Sequence, residues 1–210
     1  ALDGWQDLHT LADLIRHLGD VPLSRIRLHP LPGTATVEDV ERIEAEEKKL
    51  CELVDGILVE KVMGFVESRI AALLIAHLQN FVLPRDLGIV LAPDGTLRLF
   101  PDLVRIPDVA FIGWDRIPNR QVPREAVPEL IPDLAVEIIS EGNSSGEMDR
   151  KLDDYFSAGV RLVWYIYPRQ QKVLVYRSRT LFEEQGPDGV LDGKDVLPGL
   201  NLSVRSIFPE

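Results

Sequence analysis

The sequence predicts an α/β (α+β) protein, a mixed β-sheet flanked by helices. Three observations predict it: a long, strongly apolar helical segment at Phe65 to Val82, a strand–helix–strand run from Leu134 to Tyr167, and several short strand-forming stretches ahead of that run. With 210 residues, 45% hydrophobic and 27% charged, the chain suits one domain with a sizeable core.

In chain order, residues 1–48 read as an N-terminal helical adapter. Leu8, Leu11, Ala12, Ile15 and Leu18 recur at helical spacing, with Gly19 as the stop. The stretch from Pro22 to Gly33, with Pro30 and Pro32, reads as an irregular connector. Thr36 then caps an acidic helix through Glu38, Asp39, Glu41, Glu44, Glu46 and Glu47. That acidic run reads as a solvated helix face, with a partner-binding arm as the alternative.

Residues 49–210 read as the main domain. Glu52 to Glu60 reads as two short strands around the Asp55–Gly56 turn. The Phe65–Val82 helix is apolar on most sides and is expected to be buried. Short strands follow at Ile89 to Ala92 and Leu97 to Phe100, with a turn at Pro93–Gly95 between them. Val104 to Ile112 is a further strand, interrupted by Pro107. Trp114 to Pro132 is a polar, proline-punctuated loop. Leu134 to Ile139 is a nearly continuous apolar run, the pattern of a central strand covered on both faces. Ser145 is the expected cap of a helix from about Glu147 to Ser157, ended by Gly159. Strands at Val160 to Tyr167 and Lys172 to Tyr176 follow, then a tail that reads as a late hairpin or meander.

Composition narrows the chemistry. The single cysteine, Cys51, excludes an intrachain disulfide and a thiolate metal cluster, and His9, His17, His29 and His77 show no ligand spacing. Any metal would be held by oxygen, which favours Mg2+ or Mn2+ over zinc. A net charge of −11 argues against a protein that coats nucleic acid non-specifically, though not against an enzyme with a local basic rim. The longest strongly apolar stretch, Ile70 to Ile75, is short for a bilayer, and the first residues lack a signal-peptide profile, so the expectation is a cytoplasmic protein.

Four charged residues stand out against their surroundings. Glu137 lies inside Leu134–Ile139, where a buried carboxylate without a partner costs several kcal/mol and calls for a cation, a metal or a proton. An ion pair with an arginine is the alternative. Asp108 follows Pro107 and precedes an apolar strand; a turn or cap role is the alternative there. Two carboxylates on neighbouring strands can share one divalent cation. Lys151 lies at the border of the helix face drawn by Met148, Leu152, Tyr155 and Phe156, placed either to stabilise developing charge or to snorkel to solvent. Glu67 shares a face with Ile70, Ala71, Leu74 and Leu78, or else simply complements its helix dipole from the first turn.

Pro107-Asp108, Val136-Glu137-Ile138-Ile139-Ser140, and Asp149-Arg150-Lys151 with Tyr155, Ala158-Gly159-Val160 and Trp164 together resemble the Uma-type restriction endonuclease family of the PD-(D/E)XK nuclease superfamily. Glu52-Leu53-Val54-Asp55-Gly56 and Met63 to Ser68 fit the same pattern, so the resemblance spans roughly residues 50 to 177. It implies a restriction-endonuclease-like core in which Asp108 and Glu137 hold Mg2+ (or Mn2+); Glu67, from its place on the helix face, is the further candidate ligand. It also implies that Lys151 is a lysine moved from the usual strand position, here Ile139, onto the next helix. Ser140, Asp149 and Tyr155 are placed to orient these groups, or to act as cap and packing residues. Trp164, Tyr165 and Tyr167 read as core.

The function expected is metal-dependent phosphodiester hydrolysis, with DNA as the substrate the resemblance implies and a homodimer consistent with cutting two strands. Arg116, Arg120 and Arg124 in the long loop are candidates for phosphate contacts. The alternative is a catalytically inactive nuclease-fold binding or assembly module, with the N-terminal segment meeting a protein partner.

Overall fold

The computed structural model describes residues 8–208. Four helices, α1 (Leu11–His17), α2 (Val37–Glu47), α3 (Phe65–Val82) and α4 (Ser145–Ala158), surround three sheets. The large sheet has six strands in the order β10 (Phe182–Gln185), β9 (Lys172–Tyr176), β8 (Leu162–Tyr167), β7 (Leu134–Ile138), β6 (Val109–Gly113), β3 (Gly88–Leu91). It is mixed: β7 and β8 are parallel, joined through α4, and the other neighbours are antiparallel. A four-stranded sheet has the order β2 (Ile57–Glu60), β1 (Cys51–Val54), β5 (Leu103–Arg105), β4 (Leu97–Phe100). The tail adds a hairpin of β11 (Val190–Gly193) and β12 (Leu197–Ser203).

Alternation along the strands decides what each face meets. On β6 and β7, Val109, Phe111, Leu134, Val136 and Ile138 face α3, whose Ile70, Leu74 and Leu78 are fully buried. Each such side chain contributes about 1.5–3 kcal/mol relative to exposure. α3 has the length and composition to cross a bilayer, but this stripe is spent on the sheet. The opposite face, with Ala110, Ile112, Ala135, Val163 and Tyr165, packs on Met148, Leu152 and Tyr155 of α4, on Leu14 and Leu18 at α1, and on Val54, Ile57 and Val59 of the small sheet. The far side of the small sheet is covered by α2, through Val40 and Ile43 against Cys51, Leu53, Leu58 and Val104. The two helices within residues 8–48 thus share hydrophobic cores with the rest of the chain.

Local chemistry explains the boundaries. Thr36 and Asp39 form a capping box on α2, and Asp13 does the same for Thr10 on α1. The Asp55–Gly56 turn has φ of 48° and 74°, the two left-handed residues of a type I′ hairpin. Gly159 ends α4 at φ 95°. α4 begins at Ser145 rather than at about Glu147, and its cap is Ser144, one residue before the expected Ser145, with the Ser144 side chain accepting from the Glu147 N–H. The strand expected over Val104 to Ile112 is two strands in two different sheets: the chain leaves the small sheet after Arg105 and enters the large one at Val109. Likewise β3 and β4, flanking the Pro93–Gly95 turn, belong to separate sheets.

Candidate active site

The two carboxylates that stood out in the sequence meet. Val109 pairs with Val136, and continuing that antiparallel register by one position sets Asp108 beside Glu137. Both lie on the α4 side of the sheet and both are buried, at 6% and 5% exposure. Like charges directly across a strand pair repel, so this placement is unfavourable without a cation. Asp108 Oδ2 accepts the Ile138 N–H at 2.7 Å, and Oδ1 lies 2.8 Å from Lys61 Nζ. Lys151 Nζ stands 3.1 Å from both Glu137 oxygens, and the Tyr155 hydroxyl donates to Glu137 Oε1. Lys151 is therefore not a snorkelling surface residue: α4 turns it inward, and it is 3% exposed.

A third buried carboxylate escaped the sequence reading as a site residue. Glu52 Oε1 accepts from Lys151 Nζ at 3.0 Å and from the Ile106 N–H at 3.1 Å, while Oε2 takes Arg105 at 2.7 Å. Arg105 also binds Asp154 of α4. Glu52 thus joins β1 to the helix that carries Lys151 and to the crossover that carries Asp108. The signal was available: a charge inside Cys51–Val54 breaks an apolar strand as Glu137 does. Lys61, directly after β2, had no comparable signal.

The electrostatics follow from this wiring. Four carboxylates (Glu52, Asp108, Glu137, Asp154) face three cations (Lys61, Arg105, Lys151). Burial pushes the Glu52 carboxyl up, but Lys151 and then Arg105 overrule it and hold it well below the carboxylate range. Burial also raises Glu137; Lys151, which it shares with Glu52, pulls it back, yet Asp108 and Glu52 leave it raised. For Lys151, burial opposes the charge, and Glu137 and Glu52 more than restore it, so the ammonium titrates above its ordinary value. Burial and then Glu137 push the Tyr155 hydroxyl well up, leaving it a donor. The cluster is short of positive charge at Glu137.

Asp108, Glu137, Lys151, Glu67 and Lys61 wall one small pocket of about 20 Å3, also lined by Arg25, Ser140 and Asn143. It adjoins a groove of about 840 Å3 that shares Arg25, Glu67, Ser140 and Asn143 and adds Phe65, Tyr167 and Arg169. Glu67 is half-buried, lies against Gly64 at the start of α3, and makes no ion pair among the described residues. Among the described residues no three His, Cys, Asp or Glu side chains are gathered closely enough to hold a metal. The expected trio of Asp108, Glu137 and Glu67 is therefore not gathered: Asp108 and Glu137 are neighbours, each paired with a lysine, and Glu67 stands apart on the pocket wall.

The remaining expectations divide. Ser140 lines both cavities and donates to Asn143 Oδ1; Tyr155 touches Glu137 directly; Asp149 is exposed and faces away. Trp164 and Tyr165 are core, and Tyr167 packs partly buried against it while also lining the groove. The loop arginines do not reach the pocket. Arg116 and Arg120 sit beyond the opposite end of β6, tied to Asp133 and Asp86, and Arg124 is exposed.

The adjacent oxygens of Asp108 and Glu137 are hard donors of the kind a divalent cation takes, and each is paired here with an ammonium, Lys61 and Lys151 respectively.

The comparisons with known proteins agree with this architecture. A solved structure, a "putative nuclease belonging to DUF820" from Anabaena variabilis, superposes with a TM-score of 0.71 at 22% identity, covering 82% of this chain and 97% of that one. At that identity the likeness speaks for the fold. No curated protein matches the chain. The Uma2 family, described as "Putative restriction endonuclease", matches residues 37–205, most of the chain and all of Asp108, Glu137, Lys151, Glu67, Glu52 and Lys61; the chain belongs to that family.

Proposed function

We propose that this nuclease-family chain hydrolyses phosphodiester bonds of DNA, with Asp108 and Glu137 as ligands for Mg2+ (or Mn2+) and Lys151 as the transition-state cation. One observation carries the reading: two buried carboxylates from adjacent strands and an inward-turned lysine wall a single pocket that opens into a groove. A divalent ion bound there supplies Lewis-acid polarisation of the phosphoryl group and acidifies water. The protein does the rest. Tyr155 fixes the orientation of Glu137, the Ile138 N–H fixes Asp108, and Glu52 holds the Lys151 ammonium beside the place where charge develops on a phosphorane-like transition state. Lys61 neutralises Asp108 and is anchored on the Ile106 carbonyl beside it. Glu67, on the pocket wall, is a ligand through solvent or a proton acceptor for the attacking water.

The test is cleavage of plasmid and oligonucleotide DNA in magnesium or manganese by the wild type and by Asp108→Asn, Glu137→Gln and Lys151→Met. Each variant is expected to lose activity by at least a hundredfold while circular dichroism shows a retained fold. Undiminished cleavage by all three rejects the assignment.

Because Lys61 and Lys151 already pair with both carboxylates, a second reading is a catalytically inactive module that keeps the fold. Calorimetry separates the two. Millimolar Mg2+ or Mn2+ that releases heat with the wild type and not with Asp108→Asn supports the enzyme, and no heat in either supports the module.

A further inference from the structure

Arg25 comes from the irregular connector ahead of α2, outside the family-matched residues 37–205, yet it lines both the small pocket and the groove. Three of its N–H donors are engaged by two partners. Nε donates to the Glu60 carbonyl at 2.9 Å, and the two terminal nitrogens grip Glu147 in a fork at 2.9 and 2.8 Å. The Arg25 side chain is 12% exposed and that of Glu147 only 2%. Glu147 is fixed in turn by the Asn143 amide at 3.1 Å. The carboxylate does not line either cavity; the arginine lines both.

An arginine has five N–H donors, and three are used here. One donor on each terminal nitrogen is left without a protein partner among the described residues. The cation is thus immobilised before any ligand arrives, with its counter-ion hidden behind it. A preordered cation of this kind can give a single N–H to a phosphate oxygen with little side-chain freedom left to lose.

We propose that Arg25 is the phosphate-binding residue of this site, taking a non-bridging oxygen of the nucleic-acid backbone between the carboxylate pocket and the groove. The proposal rests on the nuclease reading for its substrate, but the anion site stands on its own geometry. It also brings the segment ahead of α2 into the site, since Pro22, Ser24 and Arg25 form a wall of the groove.

The experiment uses the full chain and two readouts. Binding is followed by the Arg25 Nε–H NMR signal and by calorimetry, with thymidine 3′,5′-bisphosphate as the probe and a chelator present. Cleavage of an oligonucleotide in magnesium is split into kcat and KM. Arg25→Met is expected to weaken probe binding and raise KM by about tenfold to a hundredfold, the range for loss of a charge-assisted hydrogen-bonded contact. Arg25→Lys is expected to recover little, because an ammonium cannot keep the fork on Glu147. Arg25→Met leaves Glu147 buried and unpaired, so Arg25→Met/Glu147→Met is the control for folding; it restores stability and not binding. Probe binding and KM unchanged in that double variant overturn the proposal. Probe binding that depends on Arg25 in a wild type that cleaves nothing upholds the anion site and counts against the nuclease reading.

Discussion

Lys151→Met removes the one ammonium that, among the described residues, touches Glu137, and the structure sets both the size and the pH dependence of the loss. At 3.1 Å, a charge pair at an effective dielectric constant of 20 is worth about 5 kcal/mol, and breaking buried pairs costs about 3–5 kcal/mol. Glu52 retains Arg105, so most of the damage falls on Glu137 beside Asp108. Glu137 has an escape: it can take a proton. Its carboxyl is already raised from 4.5 by burial, and without Lys151 it rises further. Between 4.5 and that raised folded value the native protein holds a proton that the unfolded chain has released, so stability falls as pH rises through the window. Each pH unit there is worth about 1.4 kcal/mol. Lys151→Met is thus expected to cost about 3–5 kcal/mol at pH 8, and less at a lower pH, where Glu137 holds its proton. Urea unfolding followed by circular dichroism at the two pH values measures it, with Tm expected to drop by about 2–4 °C per kcal/mol. A loss below about 1 kcal/mol, or one that is the same at both pH values, refutes the charge account.

Glu52→Gln is expected to lower cleavage through Lys151 rather than independently. In a double-mutant cycle with Lys151→Met, the coupling is expected at about 0.5–3 kcal/mol in the transition-state free energy, and simple additivity counts against the positioning role. Ile43→Ala, at a fully buried position of α2, is expected to destabilise the chain by about 2–5 kcal/mol in chemical denaturation. A negligible effect there, together with a well-folded 49–210 fragment, supports treating the N-terminal segment as a separable adapter.

Much of the fold was legible because its periodicities are strong. The α3 stripe, the apolar run of β7 and the Asp55–Gly56 turn each follow from local chemistry, and all three stand where expected. What local chemistry could not show was sheet membership. Nothing in Leu97–Phe100 or Leu103–Arg105 says which sheet receives the strand, since partners are chosen by tertiary packing. The site divides in the same way. Glu137 and Lys151 were visible as charges in apolar settings, and Glu52 carries the same mark. Lys61 and Arg25 were not, because a cation at a strand end or in a proline-punctuated connector looks like any solvated one until the chain has folded round it.

The crossover from β5 to β6 gives a physical reason for an aspartate that follows a proline. Within three residues the chain must leave one sheet and enter another, and every backbone polar group in that passage needs a partner. The Ile106 N–H goes to Glu52, the Ile106 carbonyl accepts from Lys61, and the Asp108 N–H goes to Val136. Pro107 has no N–H to satisfy and cannot extend the β5 ladder, so the break falls there at no hydrogen-bond cost. Asp108 is then the first residue across the gap, and its carboxylate replaces a ladder carbonyl by accepting the Ile138 N–H. The side chain is held by the same bond that starts the new sheet. Glu52 and Lys61, which close the gap from the small-sheet side, are also the groups that set the charge around Asp108 and Lys151. Joining the two sheets and arming the pocket are therefore one set of contacts, and a substitution made to loosen the crossover is expected to disturb the chemistry in proportion.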